Sequence, residues 1–440
     1  MIFDRLRSLT LEKALNGTLV PQDATDGAVL SITETGNWKA FDTPTSWKWV
    51  QLKDVASIVR GGSPRPIKNY LTDSEDGLNW IKIGDADRGT PRISHCSEKI
   101  IPDGLKKTRS IKKGSLLLTN SMSFGYPYIL DVDGCIHDGW LAFSDFESVL
   151  DRDYLYYVLL SPYCRSVFEK TAAGAVVKNL NINKVKEIAI PVPPLKEQLR
   201  IVVKIAQVFE EIKRAEKAYQ ELQNLSEVLR GKILQRAIEG KLVPQLESEE
   251  PVAQIGSVPE DVPFAIPDKW KWVQLKSVGK IVGGGTPKTS ISEYWGDEIS
   301  WITPADLGKN SEKWIQKGAK SITQKGLEKS SAQLMPKGSV VYSSRAPIGH
   351  IAIAGQELCT NQGCKSFSPN TGVITTEWAY YMLIARTKDI QSRASGTTFK
   401  EISGKGVGET WISLPPVEEQ KRIVAKIEEP MRQVDSSSKK

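Results

Sequence analysis

A mixed α/β fold, built as two similar globular domains separated by long antiparallel helices, is predicted by three observations. The chain repeats itself at about half its length. Between Pro194 and Gly240 it carries a single apolar stripe at helical spacing. Before and after that stretch lie short β-branched and aromatic runs punctuated by Gly and Pro.

The helix comes first. Pro193 and Pro194 can start a helix but not continue one, because a ring-fixed φ and a missing N–H are tolerated only in the first turn. Beyond them Leu199, Val202, Ile205, Phe209, Ile212, Tyr219, Leu222, Leu225, Leu229 and Ile233 recur at steps of mostly three and four among Lys, Glu, Arg and Gln, the signature of one apolar face. Gly240 supplies the left-handed stop, and Gly231 is a possible division into a long and a short helix. At about 1.5 Å per residue, the part from Leu195 to Leu229 would run roughly 50 Å. A rod with one stripe needs a second helix, and the candidates lie at the two ends of the chain.

The repeat fixes the domain plan. LRSLTLEKALNGTLVPQ from Leu6 returns as LRGKILQRAIEGKLVPQ from Leu229, WKWVQLK at Trp47 returns at Trp270, and GGSPR at Gly61 returns as GGTPK at Gly284. WIKIGDAD at Trp80 matches WITPADLG at Trp301. IPVPPLKEQLRIV ending at Val202 matches ISLPPVEEQKRIV ending at Val424. Two copies of one design fill the chain. The first copy opens with the short closing helix and ends with the long one, so the last helix has its continuation at Met1. The expected arrangement is circular, with approximate twofold symmetry and adjacent N- and C-terminal helices.

The predicted parts are a distal helix over 1–20, globular domains over 45–193 and 268–415, a central helical spacer over 194–245 and a shortened distal helix over 416–435. Pro430, aligned with Val208, is expected to break that last helix. Each domain holds runs such as SLLLTN and SVVYSS before a helical YLYYVLLSPYCRSVF or WAYYMLIARTKDIQS, which predicts a strongly twisted or partly closed sheet with helices.

Composition narrows the function classes. A chain of 440 residues exceeds one core, and its formal charge of +7 is compatible with a polyanion without proving one. No apolar leader and no run of eighteen apolar residues exist, so a cytoplasmic location is expected. Five cysteines with no CxxC pair and three scattered histidines argue against a disulfide framework and a metal site. GGGTPKTS from Gly283 lacks the Gly before Lys-Thr that a phosphate loop needs, since Pro287 stands there. The double prolines lack the polar and aromatic partners with which adenine methyltransferases hold a flipped base.

Two domains carrying WxxVxL, GG[ST]P, a Trp-Ile pair and KGS, each followed by PPxxEQxRIVxKI, resemble the DNA-specificity subunit of type I restriction-modification systems. The resemblance covers almost the whole chain and implies a non-catalytic reader of a bipartite site, one target-recognition domain per half-site. It implies double-stranded DNA and two adenine methyltransferase subunits as partners, with restriction subunits as a further possibility. S-adenosylmethionine, ATP and magnesium would serve the partners, and this chain would bind no cofactor or metal.

Where the copies agree, residues are expected to serve the shared fold; where polar residues differ, they are expected to read different half-sites. Thr119, Asn120, Ser121 and Ser123 stand opposite Ser343, Ser344 and Arg345, with Arg345 suited to guanine and Asn120 to adenine. Lys82 opposes Thr303, and His137-Asp138 opposes Asn361-Gln362. Lys178 and Lys400 match and are expected at phosphates. On the central helix, Leu199, Val202, Ile205, Phe209 and Ile212 are the expected partner-binding residues. Asp85 and Asp306 are expected to be structural or base-accepting. Against this reading stand a single-chain DNA-modifying enzyme with its own recognition domain and a coiled-coil scaffold that touches no DNA. If the helices act as a ruler, half-sites would lie about 34 to 36 Å apart, and whole turns added after Phe209 would widen only the gap.

Overall fold

The computed structural model describes residues 2–29, 39–121, 124–172, 179–396 and 400–438, the side chains of 172 and 431–438 excepted. It divides into two compact units, Met1–Gln220 and Glu221–Lys440. The dividing line falls inside the long helix, which runs unbroken from Leu195 to Ile238. Gly231 does not interrupt it. One glycine in a solvated helix weakens the coil-to-helix preference by only about 1 kcal/mol, and the neighbouring turns carry it. The two ends of the helix are built into different cores.

In the first unit, the helix buries Ile201 and Ile205 in a core shared with Leu11, Ala14, Leu15, Phe143, Tyr154 and Phe168. The N-terminal helix Ile2–Leu15 runs against it in the opposite direction, with Phe3 edge-on to Tyr219 at 6.0 Å and Arg7 paired to Glu216 at 2.5 Å. In the second unit Leu234, Ala237 and Ile238 join Ile423, Val424 and Ile427 of the C-terminal helix. That helix spans Val417–Ser438 with Pro430 inside it, so the expected break does not occur. Proline removes a single ladder hydrogen bond, and the turns around it keep theirs. In both units an end of the chain supplies the second helix, yet Leu222, Leu225 and Leu229 of the stripe stay exposed.

The first unit has two five-stranded sheets. One runs Leu71–Thr72, Glu98–Ile100, Leu78–Ile81, Gly134–Ile136, Arg109–Ile111; the other runs Ser57–Arg60, Trp140–Ser144, Leu116–Thr119, Pro127–Leu130, Arg92–Ile93. The second unit repeats this with a five-stranded sheet around Lys365–Pro369 and a three-stranded one in which Trp295–Ile302 lies between Lys320–Ile322 and Cys359–Thr360. Each unit is closed by an antiparallel ribbon, Lys48–Gln51 with Ala189–Val192 and Lys271–Gln274 with Trp411–Leu414.

The repeated motifs meet at one joint in each unit. Glu197 of PPLKEQ is buried and accepts from Trp47 Nε1 at 2.9 Å and from Gln22 Nε2. Glu419 accepts from Trp270 Nε1 at 2.9 Å and from Gln245. The adjacent Gln198 accepts from the backbone of Asp151 at 2.7 Å and donates to Val149 and Pro193, and Gln420 does the same with Thr375, Val373 and Pro415. Arg200 pairs with Asp26, and Arg422 pairs with Glu249 through both guanidinium and carboxylate forks. The tryptophan, the VPQ glutamine and the EQxR tetrad are thus one lock between helix, connector and ribbon.

Candidate nucleic-acid interface

The GG[ST]P segment explains the local frame. A Cβ on Gly61 would lie 2.2 Å from the carbonyl oxygen of His137, and one on Gly284 would lie 1.8 Å from that of Asn361. The second glycines, Gly62 and Gly285, are pressed on the backbone of Lys107 and of Ser331–Ala332. These glycines exist to let two chain segments touch, and the phosphate-loop reading has no cradle to rest on.

The segment they touch is a tight turn with one wiring scheme in both units. His137 Nδ1 accepts from the N–H of Gly139 at 3.0 Å, and Asn361 Oδ1 accepts from that of Gly363 at 2.9 Å. One ring or amide acceptor is spent on the turn, which leaves an N–H donor, Nε2 or Nδ2, on the far side of each side chain. Ser63 donates to Asp138 at 3.0 Å, and Thr286 donates to Gln362. Asp138 and Gln362 are held by the same hydroxyl position and differ in what they offer beyond it.

A second invariant clamp lies beside the turn. Asp85 accepts from the backbone N–H of Lys82 at 2.8 Å and of Ser97 at 3.1 Å. Asp306 accepts from Thr303 at 2.9 Å and from Ala319 at 3.0 Å. Both aspartates are structural, fastening the end of one strand to the start of its neighbour. In the first unit the result is a cleft of about 490 Å³ lined by Ser63, Arg65, Trp80, Lys82, Glu98 and His137. Lys82 Nζ lies 2.7 Å from Glu98 Oε1, and the His137 ring stands edge-on to Trp80 at 5.8 Å. In the second unit Gly363 brings three residues together: its Cβ position is 2.9 Å from Pro304, 3.1 Å from Asn361 Oδ1 and 3.3 Å from Arg345 Nε. Glu401 lies 3.6 Å from both Arg345 and Lys365.

The expected site residues separate into three groups. Lys82, His137, Asn361, Gln362 and Arg345 gather at these two frames, and Lys400 is exposed beside Glu401. Thr119, Asn120, Ser343 and Ser344, expected on an exposed reading loop, are all buried. Thr119 Oγ accepts from Tyr126 at 2.9 Å, Asn120 donates to the Asp138 carbonyl at 3.1 Å, Ser343 donates to Pro347 at 2.8 Å and Ser344 donates to Gly363 at 3.1 Å. They tie the loop down from below, so the base-pairing role expected of Asn120 has no exposed edge to perform it. Thr303 is half-buried and spends its hydroxyl on Asp306 at 2.6 Å as the cap of the helix Pro304–Lys309. Ser121 is half-buried, and Ser123 and Lys178 lie outside the described residues. Glu98 and Ser63 were missed. Ser63 could have been found from the Ser/Thr shared by the two GG[ST]P copies; Glu98 left no signal, because its neighbour across the sheet is set by register.

The expected partner-binding residues differ in exposure. Ile205 and Ile212 are buried, Val202 and Phe209 are half-buried with Phe209 against Tyr157 at 5.9 Å, and only Leu199 is exposed, alongside Leu195 and Val203. Nucleophilic chemistry finds no support in the thiols. Burial pushes Cys164, Cys359 and Cys364 up to about 12 and Cys96 up to about 11, far from the thiolate range. Among the described residues no three His, Cys, Asp or Glu side chains are grouped as metal ligands, and no helix is long and apolar enough to cross a membrane.

The comparisons with known proteins bear on the family and the fold. The family model described as type I restriction modification DNA specificity domain matches residues 44–224 and again 267–440. A type I restriction enzyme specificity subunit of Methanocaldococcus jannaschii, MjaIX, is 38% identical over 40% of this chain and 39% of its own length. A second from the same organism, the putative MjaX subunit, is 24% identical over 88% of this chain and 87% of its own. Among solved structures, the HsdS subunit from Thermoanaerobacter tengcongensis matches with a TM-score of 0.56 at 22% identity, covering 91% of this chain and 93% of that one. A chain from a structure of a type I R-M system described for its complex assembly and conformational transition matches with a TM-score of 0.69 at 22% identity over the same shares. At that identity the likeness is one of fold.

Proposed function

Because the chain belongs to the family of type I restriction modification DNA specificity domains, of which it carries two copies, we propose that each unit reads one half of a two-part site in double-stranded DNA. The protein is the DNA-recognition subunit of a type I restriction-modification system, and as such is not itself the catalyst. The observation that supports one half-site per unit is the frame repeated with different ends. The same glycines, aspartate clamp and turn hydrogen bond hold His137, Asp138 and Lys82 in one unit, and Asn361 and Gln362 in the other, where Thr303 spends its hydroxyl on Asp306. A shared scaffold with unlike outward groups is what reading two unlike sequences demands.

Two adenine methyltransferase subunits, using S-adenosylmethionine, are the partners this reading requires, with restriction subunits using ATP and magnesium beyond them. Of the central helix, Leu195, Leu199 and Val203 form the exposed apolar patch available for docking in the first unit. Leu199→Asp is expected to leave the chain folded, since that side chain packs on no core, and to reduce methyltransferase recovered in co-purification at least tenfold. Unchanged recovery would remove the patch from the interface.

The reading is tested by exchange. Replacing residues 45–193 with the matching domain of a specificity subunit of different target is expected to change one half-site, while replacing 268–415 changes the other. Methylome sequencing of cells carrying each chimera with its methyltransferase reads both at once; a chimera that altered both halves or neither would overturn it. The purified chain with S-adenosylmethionine and DNA is expected to transfer no methyl group, and methylation without a partner would favour a self-sufficient enzyme.

A further inference from the structure

Resting on the reading that the first unit contacts base edges, we infer that Lys82 and Glu98 together form a reader of one G·C base pair in that unit's half-site. The pair has the right chemistry side by side. In the major groove a G·C pair presents the O6 and N7 acceptors of guanine next to the N4 donor of cytosine. Lys82 and Glu98 present a cation and a carboxylate 2.7 Å apart, close to the spacing of about 2.9 Å at which hydrogen-bonded groups such as O6 and N4 sit. Using one contact on each other leaves Lys82 two further N–H donors, and leaves Glu98 lone pairs on both oxygens. Neither group has to give up its partner to engage the base pair.

The polypeptide positions both from behind. Asp85 holds the backbone of Lys82 and of Ser97, the residue before Glu98, and Asn79 and Trp80 pair in register with Lys99 and Glu98. The side chains are each about one-third exposed, 32% and 38%, and both line the cleft floored by Trp80. An ion pair at that exposure adds little to folding, so stability does not account for its placement.

The second unit serves as an internal control. Its aspartate clamp is the same, but the equivalent places hold Thr303, whose hydroxyl is consumed by Asp306, and Lys320, which sits over the Trp295 ring at 5.3 Å. The frame is kept and the donor–acceptor pair is absent, as expected of a specificity element and not of a structural one. A·T also offers an acceptor beside a donor, but thymine places its methyl next to O4, where an ammonium gains nothing. Guanine instead gives the ammonium a second acceptor.

The experiment uses the full chain co-expressed with its methyltransferase, with binding sites selected from DNA randomised over both half-sites. The chimera at 45–193 first identifies which half-site belongs to the first unit; if neither half moves, the underlying reading has failed, independently of the pair. Within that half-site the wild type is expected to demand G·C at one position. Glu98→Ala and Lys82→Met are each expected to lower the preference at that same position by about tenfold or more, leaving its neighbours and the other half-site as they were. A site unchanged at every position, an equal loss of affinity for all sequences, or a wild-type demand for A·T at the position these variants relax would each overturn the inference.

Discussion

Replacing Glu197 with alanine is expected to destabilise the first unit by about 3 to 5 kcal/mol, from two hydrogen bonds to a charged acceptor at roughly 1.5 to 3 kcal/mol each. The side chain is 1% exposed, and of the two donors it leaves behind the Trp47 indole N–H belongs to a buried ring with no water to turn to, while Gln22 is exposed. At about 2 to 4 °C per kcal/mol for a unit of this size, the melting temperature should fall by roughly 10 °C, with hydrogen exchange rising across residues 1–220 and not across 221–440. Glutamine does not rescue the loss, because two donors converge on the carboxylate and an amide would turn a third donor toward one of them. Glu419→Ala is expected to do the same to the second unit. A melt unchanged in Glu197→Ala would mean that the joint between helix and ribbon carries no weight.

The same carboxylate sets a pH dependence. Burial is the largest influence on Glu197 and raises it above its ordinary 4.5, with the Trp47 and Gln22 hydrogen bonds pulling the other way. The folded chain therefore holds this proton more tightly than the unfolded one. The stability that protonation contributes is full below about pH 4.5 and is lost as pH rises through the raised value. Glu419 behaves alike, for the same reason.

What the sequence made legible was the joints, and the reason is physical. Trp47, Glu197 and Gln198 are buried, Arg200 is half-buried and the exposed Gln22 is tied to Glu197; all are specific in geometry and repeated, so the two copies could not diverge at them without breaking the lock. The periodic stripe was legible for the same reason as far as Ile212. Two local signals misled. Gly231 and Pro430 lower helix propensity, yet each sits in a long helix whose remaining turns sustain it. Ser343, Ser344, Thr119 and Asn120 follow buried strands and are polar, so they read as a surface loop, but small polar residues also stitch a loop to the sheet beneath it, and composition does not tell the two apart. Glu98 could not be seen because its meeting with Lys82 depends on the pairing of two strands sixteen residues apart in the chain.

The site's frame gives the second large effect. Gly284→Ala places a methyl group 1.8 Å from the Asn361 carbonyl oxygen and 2.5 Å from Thr360 Oγ1, inside any allowed contact, and the nearest obstacle is backbone that cannot rotate away. Relief requires the strand ending at Gly283 or the turn at Asn361 to move, and the Gly285 N–H bond to Thr360 at 2.8 Å is the first to open. Overpacking of this kind costs about 1 to 3 kcal/mol and more when backbone must shift, so a loss of about 3 kcal/mol is expected in the second unit. Gly283→Ala is the matched control, because nothing lies within 4 Å of its Cβ position, and it is expected to change stability by less than about 0.5 kcal/mol. Because Asn361 and Gln362 ride on the displaced turn, Gly284→Ala should also weaken selection at the second unit's half-site while the first half-site is still read. Equal stability and equal site selection in the two alanine variants would show that the turn is not held by the glycine, and with it would go the claim that a rigid shared frame presents the reading groups.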